Sequence, residues 1–132
     1  MKITYDETDE FAQDVKKLLK RFRSLREDLE VAKRNAIEIY HCKNLDNRSV
    51  FRIPGLGSDD VLPYKVKKFA CKALKGKGNR SGMRVIYAYL VKIQKVVFLE
   101  MYYKADQANE NRQRITDFLR KLTHRDGHNT ST

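Results

Sequence analysis

The chain has 132 residues with 28 Lys and Arg against 17 Asp and Glu, which gives a formal net charge of +11 at pH 7. This length suits one ordinary domain, large enough to need neither a disulfide nor a metal to hold its core. Hydrophobic residues make up 41% of the chain, too many for a disordered basic tail, and the longest uncharged stretch is far too short to span a bilayer.

The N-terminal third predicts a short strand and a helical hairpin. Residues 1–5 alternate briefly, and the acidic run after them suits the N-terminus of a helix. Apolar residues from Phe11 to Phe22 recur at helical spacing, and the run from Ser24 to Glu27 has the form of a capping box that begins a second helix. Two amphipathic helices joined by about two residues predict an antiparallel hairpin.

The middle of the chain predicts a long connection followed by three strands. Residues 41–63 are interrupted by Asn, Gly and Pro and predict the connection, with a short extended piece at 49–53. Three segments then show the alternation, or the β-branched and aromatic content, that is typical of strands: Tyr64–Leu74, Met83–Val91 and Val96–Tyr103. Two short loops between them predict a meander of antiparallel hairpins.

After Asp106 the apolar period returns to helical, which predicts one more helix. Residues 123–132 are polar and predict a flexible tail, so residues 1–122 are expected to form the single domain. The expected fold class is α+β, with an antiparallel twisted sheet of about four strands, an N-terminal helical hairpin and a C-terminal helix. The helices are expected on one sheet face, and the basic strand residues on the other, open face.

The charge is concentrated in one part of the chain. Residues 1–64 hold 12 basic and 12 acidic side chains, whereas residues 65–104 hold 11 basic and 1 acidic. A soluble surface would mix the two signs, so this segment indicates a polyanionic partner. Tyrosines are interleaved with the cations, and rings that stack on bases beside cations that neutralise phosphates are typical of single-stranded RNA binding.

Other kinds of site are not indicated. The glycine-rich loop from Gly76 to Gly82 matches neither the Walker nor the dinucleotide pattern. The three histidines are scattered, and Cys42 and Cys71 form no CxxC motif, so we expect neither a metal nor a small-molecule cofactor. No conventional hydrolase constellation is present. Two lone cysteines fit a reducing cytosol and no export signal is visible, so we expect a cytoplasmic protein that does not bind a membrane.

The segment from Lys67 to Tyr87 resembles the strand–loop–strand core of RelE/ParE-superfamily toxins. Their pattern there is basic-x-basic, a glycine-basic loop, Ser-Gly and then Arg-Val-Ile-Tyr. The run from Phe98 to Asp106 is similar to the last strand of the family, which often ends in an aromatic residue and a lysine. The order of elements agrees, and the long connection at 41–63 indicates a subfamily with an insertion.

The resemblance implies the toxin of a type II toxin–antitoxin system, silenced by a cognate antitoxin. The RelE-like branch, which we favour, cleaves mRNA, often at the ribosome. The RNA 2′-hydroxyl attacks the adjacent phosphate, and Lys and Arg stabilise the charge of the transition state. Two alternatives stay open: a ParE-like poison of DNA gyrase, and a non-enzymatic RNA- or ribosome-binding domain.

Matching positions to the family pattern gives the candidate site. The catalytic candidates are Lys68, Lys72, Arg80, Arg84, Tyr103 and Lys104, and the RNA-binding candidates are Lys65, Lys67, Lys75, Lys77 and Tyr87. The resemblance places Arg84 and Arg80 at the scissile phosphate. It makes Lys72 or Lys104 the general base or a charge stabiliser, and Tyr103 a stacking platform or proton donor.

Ala70 departs from the family pattern. It lies between Lys68 and Lys72 on the same side of the predicted strand, where many members carry a basic residue. Alanine contributes neither charge nor stacking. This member therefore works with a different set of residues, has weakened activity, or carries an alanine introduced to permit expression. We expect Ala70→Arg to raise toxicity in cells.

Overall fold

The computed structural model describes residues 2–74, 76–78 and 80–130, with side chains described as far as residue 122. In chain order the elements are β1 (Thr4–Glu7), α1 (Asp9–Leu19), α2 (Leu25–Ala32), a π-helical turn (Lys33–Ile37), α3 (Glu38–Cys42), β2 (Val50–Arg52), β3 (Val61–Val66), β4 (Met83–Leu90), β5 (Lys95–Tyr103) and α4 (Arg112–Thr130). Among the described residues, no helix is long and apolar enough to cross a membrane.

The predicted helical hairpin begins at a capped helix. The Thr8 hydroxyl accepts a hydrogen bond from the Phe11 N–H at 3.2 Å, which satisfies one of the free donors of the first turn of α1. Asp9 and Glu10 in that turn complement the helix dipole. The second helix of the hairpin continues from α2 through the π-helical turn into α3.

The five strands form one sheet in the order β1-β5-β4-β3-β2. The neighbours from β2 to β5 are antiparallel, but β1 pairs with β5 in parallel, with Thr4 opposite Lys95. The α+β class is confirmed, while the expectation of about four antiparallel strands is replaced by five strands in a mixed sheet. The predicted N-terminal strand and the extended piece at 49–53 become the edge strands β1 and β2, and β2 is the fifth strand.

Both faces of the sheet are covered, so the expected open face is wrong. On one face, α1, α2 and the π-helical turn bury Phe11, Leu25 and Ile37 against sheet residues such as Tyr87. On the other face, α4 buries Ile115 among residues of β4 and β5. Both faces of β4 are apolar, and burying each large side chain contributes roughly 1.5–3 kcal/mol. This apolar second face is what brings α4 across the sheet.

Polar contacts fix α4 to the rest of the domain. The Arg114 guanidinium donates to the Asp14 carboxylate of α1 at 2.6 Å and to the Leu99 carbonyl of β5 at 3.0 Å. Asp14 also accepts the Met101 N–H at 3.1 Å, so one ion pair joins α1, β5 and α4. The backbone of α4 continues to Thr130. The expected flexibility of 123–132 stays a prediction, because the side chains there lie outside the described part.

The first predicted strand of the meander is shorter than expected. Strand β3 ends at Val66, and most of 67–82 is irregular, joined by an isolated bridge between Phe69 and Arg80. The predicted alternation of sides nevertheless holds, since Phe69 and Cys71 are buried while residues 68, 70 and 72 are exposed. The segment makes no strand ladder there because its N–H groups bond to side chains of the helical hairpin instead.

Candidate nucleic-acid interface

Three basic residues meet at one end of the sheet. Strands β3 and β5 end there and β4 begins there, because the three strands are antiparallel. Lys67 directly follows β3, Arg84 is the second residue of β4, and Lys104 directly follows β5. Neighbouring strands lie about 5 Å apart. The fold therefore brings together cations from three separate parts of the sequence.

Arg84 is held at this end by backbone oxygens. Its Nη1 donates to the Lys67 carbonyl at 2.9 Å and, more weakly, to the Met83 carbonyl at 3.4 Å. The side chain is only partly buried. Within the described part of the chain, no group hydrogen-bonds to its Nη2. The guanidinium is thus oriented by the protein and keeps donors for an anion, such as a phosphate oxygen.

Gly82 connects the start of β4 to Lys104. The Lys104 N–H donates to the Gly82 carbonyl at 2.9 Å. Gly82 has a φ of +84°, a left-handed conformation that favours glycine, and a Cβ there would lie 3.5 Å from the Tyr103 ring. The Ser-Gly pair that precedes β4 therefore has a structural reason, since a larger residue would strain this junction.

Tyr103 is partly buried against the helical hairpin. Its ring lies 5.0 Å from the ring of Phe22, and the Arg21 guanidinium lies 5.4 Å from its centroid. Arg21 also forms an ion pair with Asp106 at 2.6 Å. Sequence reasoning missed Arg21, because it belongs to the half of the chain whose charges cancel. The Tyr103 ring thus lies at the same end of the sheet as Arg84 but on the hairpin face, with Arg21 as a cation beside it.

Lys68, Lys72 and Ala70 face the helical hairpin. Lys68 and Ala70 line a groove of about 230 Å³ next to Asp28. The Lys72 ammonium lies 3.6 Å from the Glu27 carboxylate, in an exposed pair that contributes little to stability. Lys72 is therefore next to an acidic residue of α2, in a pair weak enough for an anion to displace. The expected strand that would present Lys68 and Lys72 together does not form.

The site candidates in the loop before β4 are exposed, and a hydrogen bond of Ser81 fixes the base of that loop. Arg80 and Lys77 are exposed, and the Arg80 N–H donates to the Lys77 carbonyl at 2.9 Å. The buried Ser81 hydroxyl donates to the Phe69 carbonyl at 2.6 Å, which holds the base of the loop against the core. Lys75, an RNA-binding candidate, lies outside the described residues.

Lys65 and Lys67 differ in their availability. Lys65 forms an ion pair with Glu110, and the two side chains are only 15% and 12% exposed. Lys67 is exposed, and its ammonium lies 4.6 Å from the centroid of the Phe51 ring. Lys67 can turn toward a phosphate, whereas Lys65 is already neutralised. Among the described residues, no three His, Cys, Asp or Glu side chains gather where they could hold a metal ion.

The RNA-binding role expected for Tyr87 is wrong. Its side chain is fully buried, and its hydroxyl lies 2.8 Å from His41 Nε2. Its ring stacks on that of Tyr64 at 5.5 Å, and burial raises the pKa of Tyr87 well above its usual value of 10.0. A residue in the middle of a strand whose two faces are both covered cannot present its ring to a base.

Neither a family model nor a curated protein matches the chain. Among solved structures, it is similar to a chain in the crystal structure of an archaeal RelE–RelB complex from Pyrococcus horikoshii OT3. The identity is 14% and the TM-score is 0.46, with 79% of this chain and 97% of that chain covered.

Proposed function

We propose that this protein is the toxin of a type II toxin–antitoxin system, of the RelE-like branch, and that it cleaves mRNA without a metal ion. One observation carries the proposal. Three cations of the charge-rich segment, Lys67, Arg84 and Lys104, lie at one end of the sheet, and Arg84 is oriented by backbone oxygens and still able to bind an anion. A cluster of this kind suits a transition state that carries extra negative charge on phosphate oxygens.

The proposed reaction is an internal transfer at phosphorus. The 2′-oxygen of one nucleotide bonds to the adjacent phosphorus while the bond to the 5′-oxygen of the next nucleotide breaks. A base removes the 2′-hydroxyl proton, and an acid gives a proton to the leaving 5′-oxygen. The products are a 2′,3′-cyclic phosphate and a 5′-hydroxyl. Arg84 neutralises the non-bridging oxygens, where removal of a comparable donor in other enzymes costs about 3–4 kcal/mol.

For the proton transfers we favour Lys104 and Tyr103 over Lys72. Lys104 follows β5 beside Gly82 at the sheet end, and Tyr103 lies next to it with a partly exposed ring. Lys72 is paired with Glu27 on the far side of the irregular segment. Arg80, in the exposed loop, adds charge near the strand of RNA. We assign no RNA contact to Tyr87.

The proposal includes two macromolecular partners beside the mRNA. A cognate antitoxin would cover the cations with an acidic or amphipathic segment, and the similar archaeal chain was solved as a RelE–RelB complex. The ribosome is the second partner, since its RNA is a polyanion that the same cations attract. Both partners place the protein in the cytoplasm.

A non-enzymatic RNA- or ribosome-binding domain is the second candidate, and one observation favours it. Ala70 is exposed beside Lys68, so a position that is basic in many similar toxins adds no charge here. Such a domain would hold RNA with the same cations and would not cut it. An Arg in place of Ala70 can reach solvent without disturbing the core, so Ala70→Arg is expected to raise toxicity if the protein is a nuclease.

The test is to express the chain in bacterial cells and to map the 5′ ends of transcripts. The variants are Arg84→Ala and, as a matched control, Lys92→Ala, an exposed cation on the turn between β4 and β5. We expect new internal 5′ ends with the unmodified chain and with Lys92→Ala, but not with Arg84→Ala. Intact transcripts would contradict the nuclease. Linearised DNA together with intact transcripts would indicate a gyrase poison instead.

A further inference from the structure

Phe51 presents an aromatic ring at the surface that the proposed reaction does not use. Its side chain is 38% exposed, and the other exposed large hydrophobic residues of the described chain are aliphatic: Leu45, Val91 and Ile93. It belongs to β2, within the long connection of residues 41–63. The ring belongs to neither buried core cluster, so it is available to a partner.

The register of the sheet places Phe51 on the same face as Arg84. Phe51 lies opposite Lys65 on β3, and Lys65 lies opposite Ile86 on β4. Residues that are paired across strands point to the same side, and so do residues two apart along one strand. The side chains of Phe51, Lys65, Ile86 and Arg84 therefore share the face on which α4 lies, and Phe51 is at its open edge.

The backbone around Phe51 is firmly fixed. Its neighbour Val50 is buried in the core cluster under the helical hairpin, and Ile53 is buried in the cluster under α4. The Ile53 N–H donates to the Pro63 carbonyl at 3.0 Å, which continues the pairing of β2 with β3. The ring is thus held in place by a rigid strand. A change of the ring alone leaves these anchors intact.

The surroundings of the ring are cationic and slightly concave. The Lys67 ammonium lies 4.6 Å from the ring centroid, and the Lys67 carbonyl is the acceptor for Arg84. Phe51, Arg52, Lys65, Lys67 and Glu110 line a shallow cavity of about 120 Å³. Glu110 neutralises Lys65 within it. The charge that stays available beside the ring is therefore that of Lys67.

We propose that Phe51 is the platform on which a nucleobase of the RNA stacks, two strands away from the phosphate held by Arg84. Stacking on a base is sequence-tolerant and stronger than a solvent-exposed contact between a ring and an ammonium. The incoming base therefore displaces Lys67 from the ring, and the released ammonium moves to a neighbouring phosphate. This inference rests on the proposed function, because it takes the partner to be single-stranded RNA.

The experiment measures binding of a labelled ten-nucleotide 2′-O-methyl RNA, which lacks the attacking hydroxyl and cannot be cut. The variants are Phe51→Leu, which keeps an apolar side chain without a π face, and Phe51→Trp, which keeps the π face. Ile93→Ala, at the exposed turn after β4, is the control. We expect Phe51→Leu to weaken binding roughly tenfold, and Phe51→Trp and Ile93→Ala to bind as the unmodified chain does.

Two further measurements, the salt dependence of binding and the affinities of the variants, separate this inference from the proposed function. Phe51→Leu should leave the salt dependence of binding unchanged, because no phosphate contact is lost, and Lys67→Ala should reduce it. Equal affinities for Phe51→Leu and the unmodified chain would overturn the stacking role while the nuclease proposal stands. If the unmodified chain does not bind the RNA at all, the stacking role falls, and the cleavage test alone decides the nuclease proposal. If Phe51→Trp binds the RNA as weakly as Phe51→Leu does, base stacking on an aromatic ring at position 51 does not contribute to the affinity.

Discussion

At the scale of single residues, His41 is placed where a charge is costly. Its Nε2 lies 2.8 Å from the Tyr87 hydroxyl, and its ring stacks on Tyr89 at 4.0 Å. The rings of Tyr40 and Tyr64 contact it edge-on. Burial lowers the pKa of His41 from 6.5 to about 4. The imidazole is therefore neutral at pH 7 and joins α3 to the sheet through the tyrosines.

This predicts that stability depends on pH in a defined window. An unfolded chain binds a proton at His41 near pH 6.5, whereas the folded chain resists protonation until about pH 4. Between these values the unfolded state holds more protons, so the free energy of unfolding falls as the pH is lowered. Urea denaturation from pH 7 to pH 4 should show a smaller loss for His41→Gln than for the unmodified chain. Identical pH profiles for the two chains would contradict the neutral, half-buried histidine.

The residues that sequence reasoning misjudged share one cause. A strand residue such as Tyr87 could be assigned to a side of the sheet by alternation, but alternation does not tell whether a helix covers that side. Phe51 and Arg21 were not recognised as candidates, because each acquires its neighbours only through contacts between distant segments. Arg84 was a candidate because the family resemblance matches it to the arginine that opens the strand after the Ser-Gly pair, and it does lie at the start of β4.

At the scale of elements, a small polar cluster ties the irregular segment of residues 67–82 to α2. The Asp28 side chain is 2% exposed, and its Oδ2 accepts the Ser24 hydroxyl at 2.6 Å and the Lys72 N–H at 3.2 Å. The Ser24 oxygen in turn accepts the Ala73 N–H at 3.0 Å. These bonds take the place of a strand ladder. They decide on which side of the segment Lys68 and Lys72 lie.

Removing the carboxyl should loosen this segment. In Asp28→Ala, the Ser24 hydroxyl and the Lys72 N–H lose their acceptor, which should cost about 1–3 kcal/mol of the free energy of unfolding. Amide hydrogen exchange should also become faster at Lys72 and Ala73. The control is Asp59→Ala, an exposed carboxylate whose loss should change stability by less than about 0.5 kcal/mol. If Asp28→Ala matches the control in stability and in amide exchange, the hydrogen bonds of Asp28 do not hold this segment on α2.

The helices and strands were largely predictable, because the spacing of apolar residues that indicates each one lies within its own segment of the sequence. The helical spacing from Phe11 to Phe22 and the strands now seen as β4 and β5 follow from their own residues. What could not be predicted is pairing. The parallel contact of β1 with β5 joins segments about ninety residues apart, as when Thr4 lies opposite Lys95. The hydrogen bonds of Lys72 and Ala73 to Asp28 and Ser24 likewise join segments that are distant in the sequence.

At the scale of the whole molecule, the excess of cations should appear as a salt dependence of RNA binding. Each phosphate contact with a single strand contributes about −0.7 to the slope of log K against log salt. Six exposed or half-buried cations of the basic segment form no ion pair with a described residue: Lys67, Lys68, Lys77, Arg80, Arg84 and Lys104. Engagement of all six predicts a slope of about −4.

A titration of RNA affinity from 50 to 200 mM salt tests this prediction. Arg84→Ala should make the slope less steep by about 0.7, and Lys92→Ala, on the turn after β4, should leave it unchanged. If Lys92→Ala changes the slope as much as Arg84→Ala does, RNA is bound by the diffuse charge of the molecule and not by the sheet end.

The central claim, cleavage of mRNA by cations at the sheet end, is tested most directly by the chemistry of the cut ends. Purified protein is incubated with bacterial ribosomes carrying a defined mRNA, and both ends at each break are identified. We predict 2′,3′-cyclic phosphate and 5′-hydroxyl ends, with the rate reduced about 10²- to 10³-fold in Arg84→Ala. Uncut mRNA, or breaks that carry 5′-phosphate ends, would contradict the account.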